Sequence, residues 1–132
     1  MDVPHNTIIA VVDGENFQAY RNTANAPTIS LTELPQLESE DRNSNSGRSS
    51  SSGNPAEKQM EEDAFTKGVS EKLNRMVLDG RVEKLIIIAA PRSLGEMRRN
   101  YHSKLQEVLI GEIDKVLTNA SISELEEALK QA

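Results

Sequence analysis

Residues 85–117 read LIIIAAPRSLGEMRRNYHSKLQEVLIGEIDKVL, and this stretch is the most informative part of the sequence. Its apolar start, within residues 82–90, predicts a strand that is buried on both faces. Ala90-Pro91-Arg92 predicts a turn, and Ser93 with Glu96 predicts a capping box that opens a helix. The apolar side of this helix is predicted to comprise Leu94, Met97, Tyr101, Leu105 and Val108.

The same stretch carries a basic cluster in a chain whose net charge is -6. A positive cluster at the carboxyl end of a strand, beside a helix N-terminus, is a common place for anionic ligands in α/β proteins. A histidine in such a cluster can also be an ordinary surface residue. We predict an anion or RNA-binding site at Arg92, Arg98, Arg99, His102 and Lys104.

Bulk composition restricts the function classes. The chain has 132 residues, which favours one domain spanning residues 1–132. Two Phe, two Tyr and no Trp make an aromatic platform for single-stranded nucleic acid a poor expectation. Without cysteine there is no disulfide, thiolate metal ligand or cysteine nucleophile. No apolar run reaches membrane-spanning length, so we expect a cytoplasmic protein without membrane contact.

The first 34 residues predict three strands. Residues 7–12 (TIIAVV) form an uninterrupted apolar run, which fits a strand covered on both faces. Asp13-Gly14 is a turn signal, after which residues 17–20 return as a hairpin partner. Residues 28–34 (TISLTEL) alternate between apolar and polar, as expected of a half-exposed or edge strand.

A polar segment and a long helix follow. Residues 38–54 (ESEDRNSNSGRSSSSGN) contain no apolar side chain, which predicts a flexible loop inside the domain. Residues 55–79 predict an amphipathic helix that Gly80 ends as a C-cap. Its apolar side is predicted to comprise Met60, Ala64, Phe65, Val69, Leu73, Met76 and Val77.

The last part of the chain predicts a strand and a short helix. Residues 110–117 (IGEIDKVL) are interpreted as a strand because Gly111 disfavours a helix. Ser121 and Glu124 predict a capping box for a final helix, with Ile122, Leu125 and Leu129 on its buried face. Hairpins in the first half and crossovers in the second predict a single α/β domain with a mixed sheet of about five strands and flanking helices.

Several motifs together resemble a known family. They are Asp13-Gly14, Gly47-Arg48-Ser49, the helix after Pro55, the turn Ala90-Pro91-Arg92-Ser93-Leu94-Gly95 and the pair Leu117-Thr118. This pattern is similar to the bacterial host attachment protein family, which is related to the bacterial homologues of archaeal and eukaryotic peptide-release factors. The resemblance covers nearly the whole chain, and residues 85–118 are its most specific part.

The resemblance implies an RNase H-like fold of the release-factor middle-domain type. In those factors a Gly-Gly-Gln loop before a long helix assists the hydrolysis of peptidyl-tRNA in the ribosome. Residues 43–54 occupy that place here and contain no Gly-Gly-Gln. Arg48 in this segment is a forked donor that could contact RNA phosphates, with an ordinary solvated loop as the alternative.

A second resemblance concerns the first strand. Val12-Asp13-Gly14-Glu15-Asn16-Phe17 looks like the opening of metal-dependent ribonucleases of the NYN/PIN-like group, in which an Asp at a strand end holds Mg²⁺. Asp13 and Glu15 would be the ligands, since Mg²⁺ requires hard oxygen donors. The later strand ends in Pro-Arg, and a cation there opposes metal binding. An ordinary turn Asp is the alternative interpretation.

The functional prediction is therefore a non-catalytic, release-factor-like module without a cofactor or a metal. Its expected partners are the ribosome or a tRNA, bound through the basic cluster and Arg48. The alternatives are a metal-dependent ribonuclease using Asp13 and an indirect role in host-cell attachment.

Overall fold

A five-stranded mixed sheet lies at the centre of the computed structural model, which describes residues 1–34 and 55–132. Within these ranges the strands lie in the order β3-β2-β1-β4-β5. They are β1 (Ile8–Val12), β2 (Phe17–Asn22), β3 (Leu31–Glu33), β4 (Leu85–Ala89) and β5 (Leu109–Ile113). The predicted fold class and the number of strands are confirmed.

Strand direction follows the connections, as predicted. Strands β1, β2 and β3 pair antiparallel, whereas β1, β4 and β5 are parallel. Every residue of β1 and β4 is buried, which confirms that both are covered on two faces. Asp13 forms the first hairpin turn, because its backbone N–H donates to the carbonyl of Asn16 at 2.9 Å.

Four helices cover the two faces of the sheet in the described part of the chain. The helices α1 (Pro55–Leu78), α2 (Pro91–Arg98) and α3 (Ser103–Val108) lie on one face. The helix α4 (Ile122–Gln131) lies on the other. Alternate residues of β1 therefore serve different cores: Ala10 packs with Leu73 and Met97, and Val11 packs with Leu125.

The helix α1 ends as predicted but is buried along only part of its length. Gly80 has φ +78°, and the N–H groups of Gly80 and Arg81 donate to the carbonyls of Val77 and Met76 at 3.0 Å each. These two bonds form a Schellman C-cap. The buried residues of α1 begin only at Thr66. Burial of Met60 and Ala64 was a wrong prediction, because roughly the first three turns lie outside the core.

The helix after β4 begins earlier than predicted and is interrupted. Its N-cap is Ala90, which makes no side-chain cap hydrogen bond, and Ser93 is buried within the first turn. The predicted capping box of Ser93 and Glu96 is therefore wrong. Pro91 explains the earlier start, since its fixed φ suits the first helical position and it lacks an N–H that would be unsatisfied there.

The interruption lies between Arg98 and Ser103, where the sequence pattern predicted a continuous helix. The side chain of Asn74 on α1 occupies this turn. It donates to the carbonyl of Asn100 at 2.8 Å and accepts from the N–H of His102 at 2.9 Å. Asn74 thus satisfies backbone groups that an unbroken helix would have paired internally.

The C-terminal part differs in length from the prediction. The strand β5 ends at Ile113 instead of residue 117, and residues 114–121 lead to the opposite face of the sheet. The capping box of Ser121 and Glu124 is confirmed, as is the burial of Leu125 and Leu129. Ile122 is 40% exposed, so its predicted burial was wrong.

Two further predictions concern membrane spans and the polar segment. No helix in residues 1–34 and 55–132 has the length and apolar character that crossing a membrane requires. The predicted loop at residues 38–54, with Arg48, lies outside the described residues.

Candidate functional site

The carboxyl ends of the three parallel strands meet at one edge of the sheet. Asp13 follows β1, Ala90 follows β4 and Asp114 follows β5. Both crossovers, through α1 and through α2 with α3, lie on the same face of the sheet. Ligand crevices in open α/β sheets form where strand order reverses. The parallel strands described here show no such reversal, so any site must be built by side chains.

Asp13 is fully engaged in holding this edge together. Its Oδ1 accepts from the N–H groups of Glu15 and Asn16 at 2.7 and 2.6 Å. Its Oδ2 accepts from the hydroxyl of Thr118 at 2.6 Å. Partial burial raises the pKa of Asp13, but the hydrogen bonds from Thr118, Glu15 and Asn16 together outweigh burial and hold that pKa below its ordinary value.

The arrangement around Asp13 is that of a turn carboxylate. Within the described ranges, no group of three or more His, Cys, Asp or Glu residues has the geometry to hold a metal ion. Glu15 is exposed, and its backbone N–H, not its side chain, contacts Asp13. The structure therefore does not bring the two predicted metal ligands together as a pair of free carboxylates.

Arg98 belongs to a network with Glu112 and Tyr101. The Nε and Nη2 of Arg98 donate to Oε1 of Glu112 at 3.1 and 2.7 Å. The hydroxyl of Tyr101 donates to Oε2 of the same carboxylate at 2.9 Å. Burial, and then the negative charge of Glu112, raise the pKa of Tyr101. The hydrogen bond and charge of Glu112 raise the pKa of Arg98 as well.

A cleft of about 390 Å³ lies beside this network, between α2 and the end of β5. We call it the Arg98 cleft. It is lined by Pro91, Leu94, Arg98, Glu112 and Asp114. Pro91 is exposed, whereas Leu94 is only 3% exposed and belongs to the core.

Arg92 lies at the start of α2 and points toward α1. Its Nη2 is 3.4 Å from Oδ2 of Asp63, and its side chain is 64% exposed. A long, exposed ion pair of this kind is weak. The guanidinium can therefore exchange its partner at little cost.

The remaining predicted residues lie at the turn between α2 and α3. Arg99 is exposed, and its side chain makes no ion pair or hydrogen bond with the described residues. His102 caps α3, because its Nδ1 accepts from the N–H of Lys104 at 3.0 Å. Lys104 pairs loosely with Glu107 at 3.8 Å. His102 thus has a structural role as the N-cap of α3.

The sequence did not single out Arg75, which belongs beside this turn. Arg75 is exposed in the last turn of α1 and follows Asn74, the residue that bonds to the turn. Like Arg99, it makes no side-chain ion pair with the described part of the chain. We call the four exposed residues Arg75, Arg99, His102 and Lys104, which flank the contact between Asn74 and this turn, the basic turn.

The predicted cluster is therefore divided. Arg92 lies at the sheet edge with Asp63, and Arg98 lies in the cleft with Glu112. The other three predicted residues of the described ranges lie in the basic turn. The partners Glu112 and Asp63 were missed because they come from other elements, and only the spacing of charges in three dimensions identifies them.

The model of a family described as bacterial archaeo-eukaryotic release factor family 12 matches residues 6–129. No curated protein matches the chain.

Proposed function

We propose a binding role in translation for this chain, starting from the fact that it belongs to bacterial archaeo-eukaryotic release factor family 12. Membership confirms the release-factor relationship predicted from several motifs along the chain, of which residues 85–118 were the most specific. The proposed function is that of a non-catalytic module that contacts RNA, either in the ribosome or in a tRNA. An indirect role in host-cell attachment stays a prediction from resemblance.

The observation that supports this proposal is the pair of unneutralised guanidinium groups in the basic turn. Arg75 lies in the last turn of α1 and Arg99 is the C-cap of α2, and two hydrogen bonds of Asn74 join α1 to the turn that follows Arg99. Both guanidinium groups are exposed and have no carboxylate partner among the described residues, so each is available to a phosphate group. Arg is suited to this because its planar fork can donate to two phosphate oxygens at once.

The charge of the chain restricts the kind of contact. A net charge of -6 opposes the wrapping of a long nucleic acid. A local contact to a few phosphates remains favourable where cations have no carboxylate partner. Arg92 can add to the contact, because its pair with Asp63 is exposed and long. Arg98 is a poorer candidate because Glu112 holds two of its donors.

The proposal contains no catalytic step, because the sequence has no Gly-Gly-Gln. The alternative, a metal-dependent ribonuclease at Asp13, finds no support in the contacts of that residue. Both carboxylate oxygens of Asp13 already accept hydrogen bonds from Thr118 and the turn.

The test is binding to ribosomes and to tRNA at about 50 mM and about 200 mM salt, measured by co-sedimentation and by fluorescence anisotropy. Arg75→Ala, Arg99→Ala and the double variant are compared with the wild type. Each lost phosphate contact should reduce the slope of log K against log salt by about 0.7 to 0.9.

The matched control is Lys130→Ala, which also removes one positive charge. Lys130 is exposed in the last turn of α4, on the opposite face of the sheet from the basic turn. The proposal fails if the wild type binds neither ribosomes nor tRNA at low salt. It also fails if Lys130→Ala weakens binding as much as Arg99→Ala does.

A further inference from the structure

The chain has two histidines, and their rings contact backbone groups of opposite kinds. The Nδ1 of His5 lies 3.1 Å from the carbonyl oxygen of Ala24. The Nδ1 of His102 lies 3.0 Å from the backbone nitrogen of Lys104, whose N–H points to it. A carbonyl oxygen can only accept a hydrogen bond, and a backbone N–H can only donate one. Each contact therefore fixes whether Nδ1 carries a hydrogen.

These contacts require opposite tautomers of the two neutral rings. His5 must carry a hydrogen on Nδ1 in order to donate to Ala24, which leaves its Nε2 without one. His102 must have a bare Nδ1 in order to accept from Lys104, which places its hydrogen on Nε2. A neutral imidazole has one donor and one acceptor nitrogen, so the contact at one nitrogen determines the state of the other.

The N-cap of α3 thus depends on a neutral His102. An imidazolium has a hydrogen on both nitrogens and could not accept from the N–H of Lys104. The ring of His5, in contrast, keeps its donor in either state. Within the basic turn, His102 therefore differs in chemistry from the other three residues, which are cations.

The Nε2–H of His102 is available to a ligand. His102 is exposed, and within residues 1–34 and 55–132 its ring makes no hydrogen bond besides the one to Lys104. That bond holds the ring at Nδ1, and the backbone N–H of His102 donates to Asn74 at 2.9 Å. The two bonds restrict the direction of the Nε2–H, so less side-chain entropy is lost when it meets an acceptor.

We propose that His102 serves the basic turn as a neutral, oriented N–H donor to a phosphate oxygen of RNA, and not as a fourth cation. The donor role rests on the proposed contact with RNA. Uncharged side-chain and backbone donors contact phosphate oxygens in many complexes with nucleic acids. A neutral donor adds a hydrogen bond without neutralising a phosphate, so it should raise the affinity and leave the salt dependence unchanged.

The tautomer is tested by long-range ¹H–¹⁵N correlation of the ring nitrogens in the ¹⁵N-labelled full chain at about pH 8.5, where histidine is ordinarily neutral. A bare ring nitrogen resonates far downfield of one that carries a hydrogen. We expect a bare Nδ1 for His102 and a bare Nε2 for His5 in the same spectrum. Loss of one set of signals in His102→Ser assigns them. A hydrogen on Nδ1 of His102, or an even mixture of its tautomers, overturns the proposal.

Two variants separate the donor from the cap. His102→Ser keeps an N-cap oxygen but removes the Nε2–H, whereas His102→Gln keeps an N–H donor at a similar reach and loses the cap. Their binding to tRNA is measured at about 50 mM and about 200 mM salt. His102→Ser should weaken binding roughly two- to tenfold, the range of one neutral hydrogen bond, with an unchanged salt slope. His102→Gln should bind almost like the wild type but unfold at a lower urea concentration.

The donor role is overturned if His102→Ser binds tRNA as well as the wild type, or if His102→Gln binds as weakly as His102→Ser. A fall in the salt slope of His102→Ser as large as that of Arg99→Ala would also overturn it, because it would show a cation. If the arginine variants weaken binding and His102→Ser does not, the donor role fails and the proposed function stands. If the wild type does not bind RNA, both fail, and the spectrum alone decides the tautomer.

Discussion

The hydroxyl of Thr118 donates a 2.6 Å hydrogen bond to Oδ2 of Asp13, and this bond joins the first hairpin turn to the segment between β5 and α4. The side chain of Thr118 is buried, with only 5% of the residue exposed. The bond links two residues that are 105 positions apart in sequence. It holds the crossing segment against the sheet edge before the chain enters α4.

Thr118→Val should destabilise the protein by about 1–2 kcal/mol near neutral pH, because the partly buried carboxylate of Asp13 loses a short donor. Thr118→Ser keeps the hydroxyl and should behave almost like the wild type. Urea unfolding at neutral pH measures both. Equal stability of the Val variant and the wild type would show that the bond contributes nothing.

Low pH should remove the stabilisation that comes from the hydrogen bond between Thr118 and Asp13. The pKa of Asp13 is lower in the folded protein than its ordinary value of about 3.9, so its ionised form stabilises the fold. This stabilisation is complete above about pH 4 and is lost as the pH falls through the folded-state pKa. The difference in unfolding free energy between the wild type and Thr118→Val should therefore narrow in acid.

Tyr101 should make stability sensitive to alkali. Burial, followed by the charge of Glu112, raises its pKa above the unfolded value of about 10. The neutral phenol thus stabilises the fold below about pH 10, and this contribution is lost as the pH rises above that value. Urea unfolding at about pH 8 and about pH 11 should show a smaller loss in Tyr101→Phe than in the wild type. Parallel losses would contradict the prediction.

The neighbours Arg98 and Arg99 should differ in their effect on stability. Arg98→Ala should lower the unfolding free energy by about 1 kcal/mol, since the side chain of Glu112 is only 20% exposed and loses two donors. Arg99→Ala should remain within about 0.5 kcal/mol of the wild type, as for most exposed substitutions. Thermal and urea unfolding of the two variants, which carry the same charge, provide the comparison.

The two glycines of α1 and its cap should respond in opposite directions to alanine. Gly80→Ala should destabilise the protein by about 1 kcal/mol, because φ at this position is +78° and an alanine side chain would be strained there. Gly68→Ala should stabilise by up to about 1 kcal/mol, since Gly68 is exposed and a Cβ would meet nothing within 4 Å. Urea unfolding of both variants is the measurement. A loss of stability in Gly68→Ala would refute the assignment of an open helical position.

The sequence predicted the elements whose signals are local. The apolar runs of β1 and β4 predicted strands buried on both faces, and both are. The C-cap at Gly80 and the capping box of Ser121 with Glu124 depend on residues within a few positions, and both are confirmed. The RNase H-like type of the fold stays a prediction.

Errors arose where a residue from another element overrode the local pattern. Apolar spacing from Leu94 to Val108 predicted one helix, but Asn74 of α1 bonds to the turn at Asn100 and His102 and divides it. Met60 falls on the apolar spacing of α1, but the helix extends past the core at this position and Met60 is exposed. The local sequence does not show at which residue a helix extends beyond the elements against which it packs.

The sequence predicted which residues belong to the candidate site but not how they are arranged. The basic residues were identified, but their division between the cleft, the sheet edge and the basic turn depends on Glu112, Asp63 and Asn74. These partners lie at least fourteen positions away in sequence, as for Arg98 and Glu112. Charge patterns along the chain do not reveal which cations are neutralised.

The strand order has a consequence for synthesis of the chain. Residues 8–12 form a central strand, yet one of their two neighbours, residues 85–89, emerges from the ribosome much later. Until then the apolar edge of β1 is unpaired, and exposed apolar strand edges are prone to aggregate. The nascent chain therefore passes through an interval in which this edge needs protection, and a chaperone that covers the edge during the interval should raise the yield of folded protein.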